Sequence, residues 1–106
     1  MTKSLNKVLK FDIPILYKLL CIEYSYYQDI HYNNINISIV KNTLNKCLIM
    51  IDKIISNLDK NTYNINQIKK DFDINIAFDR LNNNDFDFVD FFINNFIFDV
   101  LELPTY

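Results

Sequence analysis

Apolar residues return at steps of three and four along most of this chain. The clearest run is Val40, Leu44, Cys47, Leu48, Ile51, Ile54, Ile55 and Leu58, with Lys41, Asn45, Lys46, Asp52 and Lys53 off the stripe. That is the period of a helix with one buried side, and it predicts an amphipathic helix over 38–58. Upstream, Asp12 before Ile13-Pro14 is a start signal, because an Asp oxygen can accept an orphan helix N–H and proline is tolerated in the first turn. The helix expected over 13–31 carries two adjoining apolar rows, Leu16, Leu20, Tyr24, Tyr27 and Ile15, Leu19, Ile22, Tyr26, Ile30. Two rows predict contact on more than one side, near the centre of the fold. A short helix over 2–10, with Leu5, Val8 and Leu9 inward and Lys3, Lys7 and Lys10 outward, is expected before it. Residues 32–36 read as a turn, and the alternation of Ile35, Ile37 and Ile39 suits a short extended piece over 34–38.

Downstream of the 59–62 turn, a single helix is expected over 65–81. Ile65, Ile68, Phe72, Ile76 and Ala77 would share its buried face, while Ile74 and Phe78 would lie away from it, against another element or on the surface. The last stretch begins with the strand-like alternation Asp85-Phe86-Asp87-Phe88, but Val89, Phe92, Phe96 and Val100 step like a helix, and a helix over 86–101 is the expectation. It would lay those four residues on the 40–58 stripe. The fold class is therefore all-α: a compact antiparallel bundle of four main helices plus a short N-terminal helix, one domain over residues 1–106.

Composition narrows the function classes. Half the residues are apolar and 23% charged, the balance of a folded chain. Seventeen Ile and sixteen Asn stand against one Ala, one Arg and no Gly, which points to an AT-rich genome. Phosphate-cradling loops, dinucleotide fingerprints and nucleophile elbows all need backbone positions that glycine fills, so an enzyme is not expected, nor a cofactor. His31 has no nucleophile at a recognisable elbow. The carboxylate pairs Asp87/Asp90 and Asp99/Glu102 share helix faces, but oxygen-ligand metal sites draw on several turns or a glycine-bearing loop, and no metal is expected. Cys21 and Cys47, in apolar helical surroundings, read as buried thiols. Charged residues interrupt every apolar run and the N-terminus lacks a leader pattern, so neither a membrane span nor a signal peptide is expected and the cytoplasm is the expected location.

Charge gives the sharpest functional hint. Residues 1–53 carry a net +3 and residues 54–106 a net −5, with eight carboxylates from Asp71 onward against the single Arg80. Nucleic acid is disfavoured, because the N-terminal lysines are dispersed over three helices. Carboxylates interleaved with phenylalanines suit a basic protein partner: charges steer the encounter and rings supply anchor area. The candidate contact residues are Asp79, Asp85, Asp87, Asp90 and Phe91, with Phe78 and Tyr26. In size, helical content, acidic aromatic end and composition the chain is similar to bacterial toxin-immunity proteins, a resemblance of type with no motif matched residue by residue. It implies a monomer or weak homodimer that neutralises a basic toxin or nuclease. The alternative is a viral or parasite accessory protein that binds a host factor through a hydrophobic helix face or groove, using Ile74 and Phe78 or the tyrosine cluster. A homo-oligomer with phenylalanines buried between copies is the third.

Overall fold

The computed structural model describes residues 13–32 and 36–101, and these form five helices with no strand among them: α1 (Ile13–Tyr32), α2 (Ile37–Asn57), α3 (Ile65–Asp71), α4 (Ile74–Asn82) and α5 (Phe86–Asp99). The expected helix over 2–10 and most of the turn over 32–36 lie outside the described residues. The all-helical expectation holds.

The centre of the fold is α2, and this corrects the place given to α1. Helix α2 packs against all four others, most extensively α1. All eight residues of its sequence stripe are buried, joined by Thr43, whose hydroxyl donates to the Ile39 carbonyl at 2.8 Å. The hydroxyl thus enters the core with a backbone partner. Asn36 caps the helix, its side chain accepting from Ser38 N at 2.7 Å, so Ile37 and Ser38 are helical and not extended. In α1 the row Leu20, Tyr27 and Ile30 is buried with Leu16 and Tyr24 packed beside it, but Ile15, Leu19, Ile22 and Tyr26 are exposed.

The expected helix over 65–81 is two helices. Helix α3 ends at Phe72, and Asp73 caps α4 by accepting from Asn75 N at 3.0 Å. The break resets the phase: Ala77 and Leu81 become the buried pair, Ile76 turns outward, and Ile74 and Phe78 pack against the core. Phe72 stands edge-on to Phe92 and Phe96 of α5, with ring centroids 5.6 and 5.4 Å away, which is where the helix break is anchored. In the turn before α3, the Asp59 carboxylate accepts from Asn61 N and the Thr62 hydroxyl, and both bonds hold its pKa below the ordinary value.

The corner between α4 and α5 is tight. Asn84 has φ 61°, the left-handed conformation, and Asp85 N donates back to the Arg80 carbonyl at 2.9 Å. In a chain without glycine, asparagine is the side chain that tolerates this position best. Arg80 reaches across to the Asp85 carboxylate at 3.1 Å and lies over the Phe88 ring, 4.9 Å from its centroid. Asn84→Val is expected to cost about 1–2 kcal/mol in urea unfolding, and Asn84→Gly to be neutral or slightly stabilising.

Candidate protein-binding surface

Helix α5 has two opposed sides. Val89, Phe92, Ile93, Phe96 and Ile97 are buried, as is Val100 just beyond its end. Asp87, Phe91, Asn94 and Phe98 follow at steps of four, three and four, which puts them on the side opposite that row. Phe91 is 67% exposed and Phe98 46%, so two phenylalanine rings lie in solvent on one ridge with an exposed carboxylate at its start. Phe98 was not among the candidates drawn from sequence; its seven-residue spacing from Phe91 was the available signal.

The candidates divide by what they touch. Asp79 and Asp87 are exposed, and Asp79 projects from α4, the helix packed beside α5. Asp85 is committed to the fold: it caps α5, accepting from Phe88 N at 3.3 Å, and pairs with Arg80. Asp90 is also committed, accepting from the Tyr24 hydroxyl at 2.5 Å in a contact that ties α1 to α5. Phe78 is half-buried and packed against the core, the first of the two places expected for it, which leaves only part of its ring for a partner. Tyr26 is exposed, but it lies about 200° around α1 from Tyr24, the residue that meets α5. It therefore faces away from the α5 ridge. The acidic surface is thinner than the sequence suggests, because Asp73, Asp85 and Asp90 serve caps and an interhelix bond.

Around Asp90 the tyrosine cluster forms a small polar seam. Tyr24, Tyr27 and His31 stack in succession along α1, with centroids 5.9 and 5.4 Å apart. Burial, then the Asp90 bond and charge, raise the Tyr24 pKa well above 10; for Tyr27, burial followed by the charges of Asp90 and Asp87 does the same. The Tyr27 hydroxyl is near enough to feel Asp90 but lacks the geometry of a formed hydrogen bond. Both cysteines are free, and burial, reinforced by the charges of Glu23 and Cys21, pushes the Cys47 thiol up to about 12. Cys47 is fully buried among apolar side chains and packs as one of them.

The chain matches no protein-family model, no curated protein and no solved structure. Among the described residues no group of three or more His, Cys, Asp or Glu could hold a metal ion, and no helix is long and apolar enough to cross a membrane. Two open surface grooves flank the 59–64 turn, one lined by polar and basic groups including Lys60, Asn64 and Lys69, the other by Tyr63, Phe72, Asn95 and Asp99. The second borders α5 beside the ridge, through Asn95.

Proposed function

We propose that this chain is a protein-binding domain of the toxin-immunity type: a compact antiparallel helical bundle that acts in the cytoplasm by covering a basic toxin or nuclease with the outer ridge of α5. Phe91 and Phe98 are the anchors, and Asp87, with Asp79 on the neighbouring helix, supplies the steering charge. The observation that carries the reading is the exposure of two phenylalanine rings at helical spacing behind an acidic residue, opposite a fully packed core row. An exposed aromatic offers large contact area at small entropic cost, and nearby carboxylates raise the encounter rate with a cationic surface. Action is by occupancy, without catalysis or cofactor. The bundle reading is supported by the short connection between α4 and α5, which suits antiparallel neighbours. Three candidate anchors of the host-factor alternative are engaged within the fold, Ile74 and Phe78 against the core and Tyr24 by its bond to Asp90, which leaves it Tyr26.

Coexpression with the product of the reading frame beside its gene tests the reading. The chain is expected to relieve growth arrest caused by that product, and the double variant Asp87→Asn, Phe91→Ala to fail while remaining folded. A neighbouring product that is harmless, or rescue that survives the double variant, contradicts it.

A further inference from the structure

The exposed row of α1 has a spacing of its own. Ile15, Leu19, Ile22 and Tyr26 follow at steps of four, three and four, and all four are exposed, Ile22 by 64%. On a heptad these are successive d, a, d and a positions, the pattern of a coiled-coil seam. The row lies well around the helix from Leu20, Tyr24 and Tyr27, which pack on the rest of the molecule. In the same register Lys18 occupies a g position and Glu23 the following e position, one on each side of the seam. Lys18 is exposed and Glu23 half-buried.

The next d position is the exposed Asp29, which would face its own copy in a parallel seam, so the seam ends at Tyr26; the flanking charges bear on the occupant. In a parallel two-stranded seam, the g residue of one helix meets the e residue of the next heptad on the other, five positions later. Lys18 and Glu23 are five apart, so two copies of α1 side by side bring Lys18 of each against Glu23 of the other, a self-complementary pairing of the kind a two-fold axis requires. An antiparallel seam pairs g with g and e with e, placing lysine against lysine and glutamate against glutamate. We propose that this chain self-associates as a parallel, two-fold dimer through the Ile15, Leu19, Ile22 and Tyr26 face of α1.

Two heptads are too short for an isolated coiled coil. Here α1 is already held by α2, so no helix has to be nucleated on association and only the seam contacts need to form. Four seam residues from each copy make a small contact, so weak association is expected, with a dissociation constant on the order of 10 µM. The dimer leaves the α5 ridge open, because Tyr24, which meets α5, lies on another side of α1 from the seam.

Sedimentation equilibrium of the full chain tests the proposal. At concentrations well above that constant the expected mass is twice the monomer's. Ile22→Lys is expected to give a monomer with unchanged far-UV circular dichroism, since the side chain is already exposed. Lys18→Glu is expected to weaken the dimer at least tenfold, and combining it with Glu23→Lys to restore it. Ile15→Cys, near the end of the seam, is expected to cross-link to itself on oxidation, as only the parallel arrangement allows. A full chain that is monomeric at about ten times the expected constant overturns the proposal and leaves the row to another occupant, residues 1–12 or a partner of different chemistry. A dimer indifferent to Ile22→Lys, or one that the charge exchange does not restore, overturns it as well.

Discussion

Phe96→Ala is expected to lower stability by about 3–5 kcal/mol, close to the whole stability of a small domain. Phe96 is fully buried on the inner side of α5 and meets the edge of Phe72, whose position anchors the break between α3 and α4. Truncation removes the ring's transfer energy, leaves a cavity beside α2, and strips Phe72 of one of its two ring partners. The loss therefore extends from α5 to the junction that sets the phase of α4. Urea unfolding followed by circular dichroism should show a midpoint far below the parent's, or no folded baseline. Phe91→Ala, five residues earlier on the opposite side, is expected to stay within about 0.5 kcal/mol of the parent. Equal losses from the two variants would mean that α5 is buried all round.

Alkaline unfolding is the second large effect. Cys47, Tyr24 and Tyr27 all have folded-state pKa values raised above their ordinary values of 9.0 and 10.0, chiefly by burial. A raised pKa means that the folded state prefers the protonated form. Stability from these groups is thus fully present below about pH 9 and is lost as pH rises toward the folded-state values. Holding Cys47 at about 12 corresponds to on the order of 4 kcal/mol lost once pH exceeds that value. The tyrosines extend the loss to higher pH. The urea midpoint should be flat from about pH 7 to 8.5 and fall steadily above 9, and Cys47→Ala should remove the earliest part of the fall. A midpoint unchanged to about pH 11 would contradict the burial of these groups.

Much of the fold is legible in the residues because one stripe decides it. The eight apolar positions of α2 have no competing pattern, and all eight are buried. Reading fails where two patterns compete or one residue resets the phase. Ile15, Leu19, Ile22 and Tyr26 look like core by hydropathy alone, yet nothing in a single helix's periodicity says how many neighbours it has. At Asp73 a capping oxygen interrupts an otherwise continuous helical row, so Ile76 turned outward and Ile74 inward. The candidate surface was half legible for a related reason. Asp87 and Phe91 sit where the helical step puts them. The engagement of Asp90 by Tyr24, 66 positions away in the chain, depends on tertiary placement that local spacing does not encode.

Association kinetics test whether the outer ridge of α5 is a steered binding surface. The purified chain is mixed with the purified product of the neighbouring reading frame at about 50 and 200 mM salt, which shortens the screening length through the range of surface charge interactions. The expected result is an association rate that falls severalfold between the two salts, a weaker salt dependence for Asp87→Asn, and binding lost in Phe91→Ala with stability intact. Binding at a rate indifferent to salt, and unchanged in Asp87→Asn and Phe91→Ala, would contradict it.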